Sequence, residues 1–250
     1  MLAKGDDNKN FKSKKKRFIL REVSDRYSLY HYFRLRYQVY LRMKYINSNK
    51  EQLDIEAWDL RSKFIAAFEK ENNKLVGTLR IVHKNVKCQC YNDVSEIIET
   101  LKDERFKTIE KSYYEFPLMQ AFDIKVFLKN CYSQQRTVVE VGRLSVLPEY
   151  WKNNLALVLS EFAISYAYEN AIDDFIIAVH PRHARMYERL GFKLLPNTVE
   201  IIYPGINNLA IALHLDLAKV NEPSHSRALE MQQSIKKKGY FKISKFGRRR

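Results

Sequence analysis

The apolar positions fall into short blocks whose periods predict an α/β chain. Phe18–Val23 predicts a first strand. Ser24 or Asp25 is placed to cap a helix from about 26 to 44, with Tyr30, Phe33, Tyr37, Tyr40 and Leu41 on one stripe. Residues 64–68 and Lys74–His83 predict a hairpin that turns through 71–74. Helical spacing returns over 94–106. Residues 137–146 are rich in β-branched side chains and predict a strand, which Pro148 ends. From Asn153 onward, Leu155, Val158, Leu159, Phe162 and Ala163 recur at helical spacing. Asp174–Val179 is an unbroken apolar run, the mark of a buried strand. A short helix over 182–190 ends at Gly191, strands follow over 192–195, 198–203 and 209–215, and 228–237 reads as a last helix. No segment repeats.

Composition narrows the class. The chain has 250 residues, 46% hydrophobic and 13% aromatic, enough for a sizeable core. No run of about 18 apolar residues predicts a transmembrane helix. The lysine-rich start is followed by no apolar stretch with a cleavage site, so no secretory signal is expected. Cys88, Cys90 and Cys131 are odd in number and lack metal-site spacing, which predicts reduced thiols, a cytoplasmic location and no metal.

The net charge of +15 is concentrated at the ends. Residues 1–17 carry seven basic side chains against Asp6 and Asp7, a net of +5, and residues 236–250 carry eight with no acid. The body between them is close to neutral. Such blocks are usually solvated, and their functional reading is attraction to an acidic surface: a carrier protein, an anionic membrane or nucleic acid. The chain is therefore read as a basic tail (1–17), a folded domain (18–220) and a C-terminal helix with a second basic tail (221–250).

The stretch 137–159 offers chemistry of its own. It places Glu140 and Arg143 on a strand that leads into a helix N-terminus, where free backbone N–H groups suit a phosphate. Strand alternation alone sends Glu140 and Arg143 to opposite faces. A bulge, for which Gly142 is suited, brings both to one face. Arg80, on a predicted central strand, needs a partner if buried, either a salt bridge or a ligand carboxylate.

Two motifs carry a resemblance. Leu144-Ser-Val-Leu-Pro-Glu-Tyr-Trp-Lys-Asn-Asn-Leu-Ala156 resembles the acyl-donor motif of the GNAT acyltransferase superfamily, and His180-Pro-Arg-His-Ala-Arg-Met-Tyr-Glu-Arg-Leu-Gly-Phe192 resembles its second motif. Glu140-Val-Gly-Arg143-Leu is similar to the Glu-x-x-Arg element of acyl-homoserine-lactone synthases and the related N-acyl amino acid synthases. The resemblance spans about residues 18–218. It implies a single GNAT-like domain with a mixed, mainly antiparallel sheet flanked by helices, in which 84–136 is an insertion and 113–122 a wall of an acyl pocket.

The resemblance also implies roles. Glu140 is the base, with Arg143 and Tyr187 as further catalytic residues, Tyr187 protonating the departing thiol. Arg36, Tyr40, Asp59 and Arg80 border the acceptor site. Glu56 stands where the families have an aspartate. Val146, Lys152, Asn153, Asn154 and His180 take the donor's pantetheine and phosphate. The loop 152–156 lacks the glycines that admit a CoA diphosphate, which favours acyl carrier protein as donor over acyl-CoA, with Arg182, Arg185 and Arg189 as its docking side chains. The expectation is an N-acyltransferase that moves a medium or long acyl chain to a small amine or amino acid and holds no permanent cofactor. An acetyl-CoA-dependent acetyltransferase is the rival enzyme. A basic-tailed module for a lipid surface or nucleic acid is the rival of another class, although the near-neutral body argues against specific nucleic acid. The plain alternatives are an Arg–Glu pair that stabilises the sheet and solvated arginines on a short helix.

Overall fold

The alternating segments form strands of one sheet, and the segments with helical spacing cover its two faces. The computed structural model describes residues 16–84, 87, 89–101, 114–204, 206 and 208–243. Strands β1 (Phe18–Val23), β2 (Ser62–Glu69), β3 (Lys74–His83) and β4 (Val138–Val146) pair antiparallel in succession. β5 (Asp174–Val179) lies parallel to β4. β6 (Lys193–Leu194) and β7 (Ile201–Tyr203) pair with β8 (Asn208–Asp216), which pairs antiparallel with β5. β9 (Phe241–Ile243) adds to the far side of β1. The order is β6-β8-β5-β4-β3-β2-β1-β9, with β7 also on β8. The sheet is mixed and mainly antiparallel, as expected.

One face packs against α4 (Leu155–Glu169) and α6 (Glu222–Lys238), where Ile65, Leu79, Ile81, Val139 and Val141 meet Val158, Leu159, Phe162 and Met231. Gly77 permits this contact: a Cβ there would stand 3.1 Å from Leu159 Cδ1. The other face carries α1 (Arg26–Arg42), α2 (Tyr91–Leu101) and α3 (Lys125–Ser133). Asp25 caps α1, its Oδ1 accepting from Ser28 N at 2.9 Å.

Several expectations need correction. Of the predicted stripe on α1, Phe33, Tyr37 and Tyr40 are buried, Tyr30 and Leu41 are exposed, and the helix also buries Leu29, Tyr32 and Arg36, the last because it finds acidic partners inside. The helix predicted over 94–106 is α2, Tyr91–Leu101, and 102–106 lies outside the described residues. The strand over 198–203 shrinks to Ile201–Tyr203. α3 has no counterpart in the sequence reading.

Within the segment read as a C-terminal helix and basic tail, α6 is followed by the short strand β9. Ala228 and Met231 of α6 are fully buried, and Ile243 of β9 is buried in the same core. Residues 1–15 and 244–250 lie outside the described residues, while Lys16 and Arg17 pair with Glu69 and Glu71. Cys90 and Cys131 are buried, and Cys88 lies outside the described residues. No helix among the described residues is long and apolar enough to cross a membrane.

Candidate active site

The site begins where β4 changes face. Arg80 of β3 opposes Gly142, and Thr78 opposes Ser145, so Arg143 and Leu144 share one partner position. That is a β-bulge, and Arg143 takes it at φ +51°. Gly142 is not in the left-handed region, so the expectation that glycine makes the turn is corrected: the arginine does. A left-handed non-glycine residue costs about 1–2 kcal/mol. The Arg143 guanidinium offsets this by binding the Glu56 carboxylate, with Nε 3.3 Å from Oε2, and by lying 5.0 Å over the Tyr40 ring. The bulge also reverses the parity of β4. Val139 and Val141 pack towards α4 before it and Leu144 and Val146 after it, which turns Arg143 to the face of Glu140. Beyond Glu140 and Ile176, β4 and β5 no longer pair, and a cleft of about 560 Å³ opens there.

Three arginines and three acids converge at its α1 side. Arg36 Nε donates to Asp54 Oδ2 at 3.0 Å, and its Nη1 to Asp59 Oδ1 at 2.8 Å. Arg80 Nη1 bridges Glu56 Oε2 at 2.8 Å and Asp59 Oδ1 at 3.1 Å. Arg143 Nη1 has no hydrogen-bond partner and lies 3.7 Å from Asp54 Oδ2. The cluster balances three positive against three negative charges, which buried ions need. Burial pushes the Glu56 carboxyl up, but Arg143 and Arg80 outweigh it and hold the group well below the usual carboxylate range.

Glu140 stands apart from these pairs. It is 4% exposed, lines the cleft and accepts Leu118 N–H at 2.8 Å on Oε2. The 3-10 turn Pro117–Gln120 that supplies this N–H is fixed by Phe116 and Leu118, which are buried with Val82, Val138 and Ile176. Burial pushes its carboxyl up to about 8, against the lowering effects of the Leu118 N–H, Arg80 and Arg143. At neutral pH it is mostly a neutral acid.

The remaining walls are largely apolar: Val39, Tyr40 and Met43 from α1, Val146, Trp151 and Ala156 on the β4–α4 side, Ala178, Val179 and His180 from the end of β5, and Tyr203, Leu209 and Ala210 opposite. Tyr187, on α5 (Ala184–Glu188), is 7% exposed and faces the same space, and burial raises its hydroxyl above the ordinary phenol range. At the mouth, Arg182 Nη2 donates to Tyr45 Oη at 2.8 Å across the opening.

The chain has relatives among known proteins. The family model described as N-acyl amino acid synthase FeeM matches residues 106–216. The chain is similar to the N-acyl amino acid synthases. The solved structure of FeeM, an N-acyl amino acid synthase from uncultured soil microbes, superposes with a TM-score of 0.58 at 18% identity, over 87% of this chain and 98% of that one. BjaI, a CoA-dependent acyl-homoserine lactone synthase, gives 0.55 at 12% identity, over 86% and 90%. A putative N-acetyltransferase from Lactobacillus plantarum gives 0.50 at 13% identity, over 80% and 98%. No curated protein sequence matches. At these identities the likeness is one of fold, and the fold is GNAT-like.

The structure gathers many of the residues singled out in the sequence and disperses others. Glu140, Arg143, Tyr187, Tyr40, Arg80, Val146, His180 and Arg182 line the cleft. Arg36 and Asp59 lie behind it, fully buried, and act on it through Arg80 and Glu56. Of the acidic pair Glu56 and Asp59, Glu56 lines the cleft. Lys152, Asn153 and Asn154 do not line the cleft, where Trp151 and Ala156 take their place. Asn154 starts α4 at φ +50° with no side-chain cap. His180 Nδ1 accepts Arg182 N–H at 3.2 Å, an end-of-strand cap. Arg185 and Arg189 are exposed outside the cleft. Of the predicted pocket wall over 113–122, Phe116, Leu118 and Phe122 are core, and Pro117 alone of 114–122 lines the cleft. The sequence reading missed Asp54, whose signal was its place between the apolar Leu53 and Ile55, both buried. It also missed Trp151 and Tyr203.

Proposed function

We propose that the protein transfers an acyl chain from a pantetheine thioester to the amino group of a small amine or amino acid. The observation that carries this reading is Glu140: a buried carboxyl, raised to about 8, on the opened edge of β4 and facing the cleft. A base tuned near the working pH suits removal of a proton from an attacking ammonium group. Glu140 takes that proton and releases it to solvent, the amine nitrogen bonds to the thioester carbonyl carbon and gives its second proton to Glu140, and the carbon–sulfur bond breaks as the thiolate leaves. Backbone N–H groups along the unpaired edge of β4 bind the carbonyl oxygen as charge develops. The Tyr187 hydroxyl, kept neutral by burial, donates to the leaving sulfur. The Arg143 guanidinium, on the cleft wall, suits an acceptor carboxylate, and Glu56 holds it in place.

The donor in this reading is an acyl carrier protein, with acyl-CoA as the alternative. Asn153 and Asn154 carry side chains where glycines would leave backbone amides bare for a diphosphate. Arg182, Arg185 and Arg189 offer an acidic carrier a landing surface. The test is the kcat/KM for one acyl chain on carrier protein and on CoA. Preference for the carrier, lost in the double variant Arg182→Glu with Arg185→Glu, supports the reading. Equal or better use of CoA removes the carrier from it.

A further inference from the structure

Glu140 and the charged cluster belong to different elements, and one side chain off the cleft wall ties them together. The 3-10 turn Ala57–Arg61 follows Glu56, whose N–H donates to Asp59 Oδ2 at 2.7 Å. Through Glu56 and Asp59 this turn grips Arg36, Arg80 and Arg143. Its last residue, Arg61, reaches another segment. Arg61 Nη2 donates to the carbonyl oxygens of Tyr114 at 3.0 Å and Glu115 at 2.7 Å. Three residues beyond Glu115, Leu118 N–H donates to Glu140 Oε2 at 2.8 Å.

That donor needs a directional hold. Phe116 and Leu118 are fully buried with Val82, Val138 and Ile176. Apolar contact fixes their depth, but it has no direction and does not set the plane of a peptide group. Hydrogen bonds do. Met119 N–H donates to Phe116 O at 3.1 Å and Ala121 N–H to Leu118 O at 3.0 Å, which closes the turn around the Leu118 amide. The Glu115 side chain is pinned separately: Tyr132 Oη donates to Oε2 at 2.5 Å, and Lys84 Nζ stands 3.0 Å from Oε1. The two bonds from Arg61 fix the backbone that leads into the turn, and a charged donor makes them strong. Burial disfavours the Arg61 cation, and Glu115 and Glu140 oppose that effect, so the guanidinium lies within the field of the carboxyl whose donor it holds.

We propose that Arg61 is a positioning residue: by holding the Tyr114 and Glu115 carbonyls it keeps Leu118 N–H on Glu140, and it joins that donor to the turn that carries Asp59. Burial pushes the Glu140 carboxyl up to about 8, and the Leu118 N–H is the largest of the effects that oppose it. A donor on the charged form favours that form. Arg80 of β3, Glu56, Arg143 of β4 and Tyr203 of β7 also act on Glu140. Arg80, Glu56 and Arg143 are held by one another and not by Arg61. With Phe116 and Leu118 still seated in the core, losing Arg61 keeps the burial and loses the alignment of the N–H. Glu140 then gives up its proton at higher pH. The consequence for rate rests on the acyl-transfer reading, and the contact itself does not.

The test reads the contact without substrate. The Leu118 backbone amide is followed by nitrogen–proton NMR across the Glu140 titration. In the wild type its shift should follow that titration, and in Glu140→Gln the response should vanish. Arg61→Gln should lose most of the response and move the Glu140 midpoint upward. Arg61→Lys, which keeps a charged donor, should restore both. Arg61→Met, which keeps the apolar stem, replaces the Gln variant if that one does not fold. In single-turnover assays Arg61→Gln should be roughly tenfold slower at pH 7 and approach the wild-type rate at high pH, with KM unchanged. An Arg61→Gln variant with the wild-type amide response, or with a midpoint that stays or falls, overturns the proposal whether or not the wild type forms amide. If the response is lost as expected but the wild type forms no amide, the positioning of Glu140 stands and the acyl-transfer reading falls.

Discussion

Two glutamates share the cleft, and their surroundings drive them in opposite directions. Glu56, held by Arg80 and Arg143, stays ionised, while Glu140, with one backbone donor and apolar neighbours, is pushed up to about 8. Such divergence separates a fixed anion from a group that exchanges its proton. At pH 7 roughly one molecule in ten has Glu140 ionised. The chemical rate should therefore rise with pH and level off above about 8. Glu140→Gln should lower it by roughly two to four orders of magnitude, the scale of a lost general base. Single-turnover rates across pH check both, and a pH-independent wild-type rate or an active Gln variant contradicts the assignment.

The same group makes a stability prediction. Its ordinary value is 4.5 and burial raises it in the folded state, so its contribution is fully present below pH 4.5 and is lost as pH rises through about 8. Glu140→Gln abolishes that loss. Relative to wild type the variant should gain stability between pH 5 and pH 9, by an amount on the order of a few kcal/mol. Urea melts at the two pH values measure it, and a constant difference contradicts the burial argument. At this scale the sequence was only partly legible. Glu140 and Arg143 were visible as a spaced pair. Arg36 reads as a solvated helix residue until Asp54 and Asp59, eighteen and twenty-three positions away, are folded against it.

At the scale of elements, period and punctuation located β1 and β5 to the residue and β4 closely, because apolar and β-branched runs leave strong signals. The bulge was anticipated but misplaced. Local propensity favours glycine at a left-handed position, and the chain uses Arg143 because Glu56 and Tyr40 hold it there. Segment α3 was missed because its burial rests on just Leu128 and Cys131. β9 was missed because three residues carry no period. Ending the chain after Lys238 should therefore cost stability and not merely charge. It removes the β1–β9 ladder and buried Ile243, whose side chain alone is worth about 1.5–3 kcal/mol. Denaturant titration of the truncated and full chains checks this, and equal midpoints would show β9 to be incidental.

At the scale of the molecule, the α/β class and the near-neutral body were readable from pattern and composition, and the mixed sheet from the resemblance. The separation of labour was not. One sheet face is a continuous apolar core against α4 and α6, and the other carries the charged cluster, the cleft and Glu140. The assignment of every role above turns on whether this cleft makes an amide from a thioester. The most direct measurement is mass spectrometry of lipid extracts from cells expressing the wild type, Glu140→Gln or neither. The account predicts N-acylated amines or amino acids with the wild type alone. Their absence with the wild type, or equal amounts with Glu140→Gln, would contradict it.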